Sequence, residues 1–263
     1  MSSNDSGAEV IDIALRDADV ELSPSGSQQA EELGNWLREQ PVDVRPDSVW
    51  CSPYVRAQQT AKVALETCGL DLPVRFDERL RDRDLGVLDL LTSAGVDAKF
   101  PEEAERRRWL GKFYYRPPGG ESWADLALRI RTLITDLDRI EDGNRVLVVC
   151  HDAMILIFRY VCEGLSEEEV LEIARSALVR NASVTRLSRS SGEGEWEIRL
   201  QRGAPPRSAW STRGRAARRH RCRRSLRPSR RRRCASRRCR VATTPAPPAV
   251  RLPAPAVRIV ASA

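Results

Sequence analysis

Residues 145–164 read RVLVVCHDAMILIFRYVCEG, and this stretch carries the strongest structural signal in the sequence. Its first six residues form a near-continuous apolar run of strand length, which is typical of a buried strand in a parallel sheet. His151 and Asp152 follow directly, and an apolar segment of helix length then runs to Gly164, a residue type that commonly ends helices. The stretch therefore predicts a buried strand joined to a helix without a linker.

A second unit of the same kind begins at residue 48. The short strand SVWC is followed by Ser52-Pro53 and by a predicted helix from Tyr54 to Cys68. Periodicity predicts further helices and strands in alternation, at residues 25–40, 122–140, 166–178, 182–189 and 195–201. This order predicts an α/β fold, a three-layer αβα sandwich around a mostly parallel sheet.

Residues 203–263 differ in composition from the rest of the chain. They hold 18 of the 44 basic residues, all of them Arg, and none of the 37 acidic residues, so residues 1–202 are acidic overall. Because this segment also lacks an apolar period, we expect a folded domain at 1–202 and a disordered tail at 203–263. Such a tail would bind nucleic acid through phosphates, and the same composition is expected from a shifted reading frame in GC-rich DNA.

Cysteine usage and the N-terminus bear on location. The seven cysteines form no C-x-x-C pair, which favours a reducing compartment. The start MSSNDSGAEV does not resemble a signal peptide, and the longest apolar run is shorter than a membrane span. We therefore expect a cytoplasmic protein without a membrane partner. No metal or cofactor is predicted, because the tail's Cys222, Cys234, Cys239 and His220 match no standard zinc spacing.

Two polar residues follow predicted strands at the edge where ligands bind in open parallel sheets. His151 comes directly after the strand RVLVVC, and Arg56 lies in the first turn of the helix after SVWC. Taken alone, the histidine is compatible with an ordinary core and the arginine with a surface position. Together with a helix N-terminus, they predict a pocket for a phosphate group, since an arginine can hold two oxygens at once.

The motifs around these residues resemble one known family. CSPYVRAQQTA at residues 51–61 is similar to the S-P-x-x-R-a-x-q-T-A signature of the histidine phosphatase (phosphoglycerate mutase-like) superfamily. DVELSPSGSQQA at 19–30 and PGGES at 118–122 occur in that family's order, and the resemblance covers about residues 8–202. It implies a phosphoglycerate mutase-like sheet and a small phosphorylated substrate.

The resemblance also implies roles for individual residues. Arg56 would bind the transferred phosphoryl group, and His151 would be the family's second histidine, which holds the phosphate. In the segment LRDRDLG at 80–86, Asp82 stands where the family has a proton-donating Glu, with Asp84 as a competitor. A solvated loop is the alternative for both aspartates, because the segment is highly charged.

Substrate contacts are expected from residues 101–121, which look like an inserted lid. Arg106 and Arg107 would meet an anionic substrate, although a solvated helix face explains them equally well. Glu121 either lines the pocket or opens the helix at Ser122, and we favour the helix role slightly.

The family's phosphate-accepting histidine lies in an Arg-His-Gly segment after a first strand, and this feature is not found here. The sequence has two histidines, and His220 lies in the Arg-rich segment. We therefore expect the first strand to be missing, the sheet to lack a central member, and both stability and turnover to be reduced. A phosphatase, a mutase and a non-catalytic or vestigial anion-binding protein remain open as functions.

Overall fold

The computed structural model describes residues 9–10, 15–176, 179–189, 196–200 and 256–262. Its helices are α1 (Pro24–Glu39), α2 (Val55–Cys68), α3 (Ser93–Lys99), α4 (Pro101–Tyr114), α5 (Trp123–Ile140), α6 (Asp152–Glu163) and α7 (Glu167–Ser176). Its strands are β1 (Ser48–Cys51), β2 (Val74–Phe76), β3 (Arg145–Cys150), β4 (Val184–Arg189), β5 (Glu197–Leu200) and β6 (Ala256–Ser262). Short 3-10 turns occur at Asp17–Asp19, Glu78–Leu80 and Gly86–Leu88.

The strands form one sheet with the order β2-β1-β3-β6-β4-β5. β2, β1, β3 and β6 run parallel to one another, whereas β4 runs antiparallel to both β6 and β5. In the register of β1 and β3, Cys51 lies opposite Val149. The carboxyl ends of these two strands therefore lie side by side, at the edge where the sequence places its polar residues.

Helices cover both faces of the sheet, which confirms the predicted three-layer architecture. Alternate residues of a strand point to opposite faces. In β3, Val146 and Val148 pack into a cluster with α5 and α6, whereas Leu147 and Val149 pack into a second cluster with α1 and α2. β3 is almost completely buried, so its near-continuous apolar sequence is explained by two covered faces.

A strand from the far end of the sequence occupies the position next to β3. β6 pairs with β3 from Val257 opposite Arg145 to Ser262 opposite Cys150, and its other edge pairs with β4. The expectation that the sheet lacks a central member is therefore wrong. The physical reason is that β3 and β4 each present an edge of backbone N–H and C=O groups, and AVRIVAS is rich enough in β-branched residues to fill the gap between them.

The tail prediction changes accordingly. Disorder over 203–263 is wrong for residues 256–262, which form β6. The preceding residues 201–255, including the cysteines and His220 considered for zinc, lie outside the described residues. Nucleic-acid binding by the tail stays a prediction.

The segment predicted as a lid is largely helical. It consists of α4, which is interrupted at Gly111 (φ +77°), and of a loop that leads to α5. Pro101 begins α4 directly after α3, a short helix that the sequence pattern did not predict. The Trp109 side chain of α4 is 83% exposed, so this helix presents much of its surface to solvent.

Candidate active site

The site begins where β1 and β3 end. Ser52 follows β1 and His151 follows β3, and the Ser52 amide donates to the carbonyl oxygen of Val149 at 2.9 Å. This bond extends the parallel ladder by one residue, so the chain leaves both strands in register. The two junctions then turn into α2 and α6, whose N-terminal residues lie beside them.

Arg56 lies in the first turn of α2, and its side chain is 17% exposed. Its Nη1 atom donates to Asp17 Oδ1 at 3.0 Å and to the Asp17 carbonyl oxygen at 2.7 Å, and its Nη2 atom donates to Asp17 Oδ2 at 3.1 Å. Nη2 also donates to Asp82 Oδ2 at 3.1 Å. The guanidinium thus holds one carboxylate by two parallel bonds, which is the geometry that arginine also uses for phosphate.

His151 is only 2% exposed. Its Nε2 atom lies 2.8 Å from Ser52 Oγ, and its Nδ1 atom lies 3.6 Å from Asp82 Oδ2. The Tyr54 ring packs edge-on against the imidazole, with the centroids 5.0 Å apart. Burial, and after it the nearby Arg56 guanidinium, lower the pKa of His151 to about 3, so the ring is neutral at pH 7.

Asp82 joins the two junctions, because one of its oxygens faces both Arg56 and His151. Burial raises the pKa of Asp82, while the Arg83 amide and the Arg56 guanidinium oppose that rise. The competing residue, Asp84, is exposed, and its carboxylate accepts a bond from the Gly86 amide at 2.8 Å. Of the two aspartates, the structure brings Asp82 to the arginine and the histidine.

Glu121 braces the loop that carries Asp82. Its Oε1 atom accepts from Arg81 Nη2 at 2.6 Å, and its Oε2 atom accepts from Arg129 Nη2 at 2.8 Å and from the Asp84 amide at 3.2 Å. The start of α5 is capped instead by a reciprocal pair of bonds between Ser122 and Asp125. The interpretation of Glu121 as the residue that opens this helix is therefore wrong.

The predicted substrate arginines lie on α4, and both are exposed. Arg106 approaches Glu103 at 3.9 Å, as expected for a solvated helix face. Arg107 is close enough to Arg83 and Lys112 for its charge to contribute to the lowered pKa of both groups, after the larger effect of burial. The structure thus places Arg107, but not Arg106, in a cluster of cations.

Four side chains at the site were not singled out from the sequence: Asp17, Ser52, Tyr54 and Arg83. Ser52 and Tyr54 lie within the quoted CSPYVRAQQTA motif, at a strand end and in the turn after it, so their positions were a usable signal. Asp17 and Arg83 are placed at the site by contacts with Arg56 and with the Glu121 carbonyl oxygen, respectively. These contacts join distant parts of the sequence, so a local pattern does not predict them.

The part of the chain that the structure describes contains no group of three or more His, Cys, Asp or Glu side chains arranged to hold a metal ion. In that part of the chain, no helix is both long and apolar enough to cross a membrane. The side chains at the site are a cation, a neutral imidazole and a partly buried carboxyl group.

Comparison with known proteins identifies relatives by sequence. A model of the histidine phosphatase superfamily (branch 1) matches residues 9–201. A 2,3-bisphosphoglycerate-dependent phosphoglycerate mutase of Methylobacterium radiotolerans is 32% identical over 158 residues, which cover 59% of this chain and 73% of the relative. A 6-phosphofructo-2-kinase/fructose-2,6-bisphosphatase of Aquarana catesbeiana is 36% identical over 152 residues, which cover 57% of this chain but only 30% of that relative.

A solved structure agrees with the sequence relatives. A mycobacterial glucosyl-3-phosphoglycerate phosphatase in complex with inorganic phosphate matches with a TM-score of 0.59 and 30% identity, over 74% of this chain and 94% of that chain. These similarities confirm the resemblance inferred from the motifs. With its matching fold and its family match over residues 9–201, this chain belongs to the histidine phosphatase superfamily.

Proposed function

We propose that this chain binds the phosphoryl group of a small phosphomonoester between Arg56 and His151, as a phosphoryl-transfer protein with impaired turnover. One observation carries the proposal: Asp82 Oδ2 lies 3.1 Å from Arg56 Nη2 and 3.6 Å from His151 Nδ1. A cation with paired N–H donors, a buried ring nitrogen and a carboxyl group therefore meet at one point. The relatives named as a mutase, a bisphosphatase and a phosphatase support this class of reaction.

Asp17 supports the choice of an oxyanion as ligand. Its two oxygens are held by Nη1 and Nη2 of Arg56 in the way that two oxygens of a phosphate group would be. A ligand that binds Arg56 in this geometry must displace the Asp17 carboxylate. The bound carboxylate thus indicates both the type of ligand and a competitor for its position.

Asp82 is suited to protonate a leaving group. When the bond between phosphorus and the ester oxygen breaks, the electron pair stays on that oxygen, which needs a proton to depart as an alcohol. Burial keeps the pKa of Asp82 above that of an ordinary aspartate, and its oxygen faces the proposed phosphoryl position. These are the requirements for a general acid.

We propose impaired turnover because the described residues offer no second histidine beside Arg56 to accept the phosphoryl group. The two histidines of the sequence are His151 and His220, and His220 lies outside the described residues. Beside Arg56, the described residues thus offer His151 alone, in the position of the family's second histidine. Binding of anions without turnover is the alternative that this observation favours.

The rim of the site favours an anionic substrate. Arg83, Arg107 and Lys112 interact electrostatically, and Arg107 is exposed at the surface of α4. A cluster of three positive side chains creates a positive potential, which attracts an anion. We propose that the substrate is a small phosphorylated metabolite, with Arg107 near its outer end.

The test combines binding and turnover in the full chain. Inorganic phosphate and 4-nitrophenyl phosphate are titrated by calorimetry, and release of 4-nitrophenol is followed in parallel. We expect saturable binding of both ligands, loss of binding in His151→Ala, and turnover below about 1 per second, the lower end for typical enzymes. Arg139→Ala, at an exposed position on α5, is the control and is expected to bind like the unmodified chain.

Two results would overturn parts of this proposal. If neither ligand binds to the unmodified chain, the site is not a phosphoryl pocket. If 4-nitrophenol is released at tens per second, turnover is not impaired, and loss of that release in His151→Ala would mean that His151, or a group that depends on it, accepts the phosphoryl group.

A further inference from the structure

Ser52 is a fully buried serine that the proposed chemistry does not use. Its side chain is 0% exposed, at the point where β1 turns toward α2. Its Oγ atom accepts a hydrogen bond from the Tyr54 amide at 3.3 Å and lies 2.8 Å from His151 Nε2. The hydroxyl therefore connects the Arg56 junction to the His151 junction.

The hydrogen-bonding capacity of Ser52 decides whether its hydroxyl or His151 Nε2 is the donor in the bond between them. A serine hydroxyl has one proton to donate and two lone pairs. The Tyr54 amide can only donate, so it occupies a lone pair. If His151 Nε2 also donated, the hydroxyl proton would lack an acceptor among the described contacts of Ser52, which is itself fully buried, and an unsatisfied buried donor is costly.

The opposite direction satisfies the Ser52 hydroxyl. When Ser52 donates to Nε2, that nitrogen carries no proton, and a neutral imidazole then carries its proton on Nδ1. The Nδ1 atom lies 3.6 Å from Asp82 Oδ2, slightly beyond hydrogen-bond distance, so a proton on Nδ1 has a carboxylate oxygen nearby. Burial and the Arg56 charge keep the pKa of His151 low, so the doubly protonated ring is not a competing form at pH 7.

We propose that Ser52 is a positioning residue, which holds His151 as the neutral tautomer protonated on Nδ1 and aims that N–H at the phosphoryl position beside Asp82. His151 then acts as a hydrogen-bond donor to a phosphoryl oxygen rather than as a base. The tautomer follows from the contacts of the chain itself, whereas its use on a phosphoryl group rests on the function proposed above.

The tautomer can be observed directly by NMR. The full chain is labelled with 15N-histidine, and long-range 1H–15N correlation spectra distinguish a protonated ring nitrogen from an unprotonated one. Because the sequence has two histidines, His220→Gln leaves the signals of His151 alone. We expect Nδ1 to be protonated and Nε2 unprotonated at pH 7. A spectrum with the proton on Nε2 would overturn the proposal.

Variants separate positioning from a general loss of structure. In Ser52→Ala, we expect the single tautomer to be replaced by the Nε2–H form or a mixture, while Ser52→Thr, which keeps the hydroxyl, retains the original spectrum. Ser183→Ala removes another buried serine, at 2% exposure and ahead of β4, and is expected to leave the spectrum unchanged. An unchanged tautomer in folded Ser52→Ala would contradict the proposal, and so would the same change in Ser183→Ala.

Inorganic phosphate distinguishes this inference from the proposed function. We expect phosphate to shift the Nδ1 signal of the unmodified chain, and Ser52→Ala to weaken phosphate binding about three- to tenfold, the effect of one hydrogen bond. If Ser52→Ala changes the tautomer but phosphate never perturbs His151, positioning stands and the phosphoryl pocket fails. If phosphate binds through Arg56 and Ser52→Ala leaves the tautomer unchanged, the pocket stands and positioning fails.

Discussion

The junctions β1–α2 and β3–α6 both lead from a parallel strand into a helix, but they present different kinds of side chain. The first places Arg56, a permanent cation, where solvent still reaches it, and two carboxylates neutralise it. The second places His151 in a site that is almost closed to solvent, where the ring is neutral. The strand-turn-helix motif therefore does not determine the charge of the side chain that it presents, because a guanidinium stays charged at either position whereas burial keeps the imidazole of His151 neutral.

The largest effect on stability is expected from disrupting β6, the strand that pairs with β3 at the His151 junction. β6 pairs with β3 and β4, whereas β1 pairs with β2 and β3, so Ile259→Pro removes a backbone donor from the strand next to β3 and leaves the pairing of β1 with β2 intact. We expect the free energy of unfolding to fall by about 3 kcal/mol in urea titrations, with hydrogen exchange accelerated in β3 before β1. The matched control is Ile259→Val, which keeps the backbone donor and is expected to lose far less stability. Equal stability of Ile259→Pro and the unmodified chain would refute the role of β6.

The second-largest effect is expected on phosphate affinity, from removing the Arg56 charge at the β1–α2 junction. Arg56→Ala eliminates both guanidinium donors, and we expect the dissociation constant for inorganic phosphate to rise about a hundredfold, since charge-assisted bonds contribute about 1.5–3 kcal/mol. Arg56→Lys keeps the charge but not the paired geometry, and should fall between. Calorimetry at fixed ionic strength measures all three proteins. Equal affinity in all three would show that Arg56 does not bind phosphate.

The comparison also shows how far sequence reasoning reaches. The apolar run of β3 and the helical period of α2 predicted both elements, and the rule that ligands bind at strand ends then led to His151 and Arg56. β6 was missed because its seven residues follow a long Arg- and Pro-rich stretch, and its pairing with β3 joins residues more than 100 positions apart. A local pattern does not encode a partner at that distance.

Side-chain direction limited the site prediction in the same way. Asp82 and Asp84 lie on the same short loop, and only the fold shows that Asp82 faces His151 while Asp84 caps a turn. The bonds of Asp17 to Arg56 join residues 39 positions apart. Such contacts depend on packing, which neither residue type nor spacing reveals.

The buried histidine predicts a specific dependence of stability on pH. The pKa of His151 is lowered to about 3, from an ordinary value near 6.5, so the unfolded chain binds a proton in this range and the folded chain does not. The stability contributed by the neutral ring is present above pH 6.5 and is lost as pH falls toward 3. Between pH 6.5 and 5 we expect a loss of about 1–2 kcal/mol from this group.

His151→Gln isolates that contribution, because the amide does not titrate. Urea titrations of both proteins across pH 5–7 should therefore give a shallower pH dependence for the variant. Parallel curves for the two proteins would mean that His151 titrates normally in the folded chain, and the contrast between the two junctions would disappear.

The smallest effect is expected at the Arg56 junction, from removing the charge of Asp17. Asp17→Asn keeps the shape of the side chain that occupies Arg56 but removes its charge, so phosphate no longer competes with a carboxylate. We expect phosphate affinity to increase about two- to fivefold, the scale of a partly exposed ion pair. Asp19→Asn is the matched control, because Asp19 pairs with Arg16. Unchanged or weaker binding in Asp17→Asn would show that Asp17 does not compete with phosphate.

A crystal structure of the full chain with inorganic phosphate tests the central claim most directly. The account predicts phosphate oxygens on Nη1 and Nη2 of Arg56, another oxygen within hydrogen-bond distance of His151 Nδ1, and the Asp17 carboxylate displaced from the guanidinium. Phosphate bound elsewhere, or an Asp17 carboxylate still on Arg56 in crystals whose solution counterpart binds phosphate tightly, would contradict it.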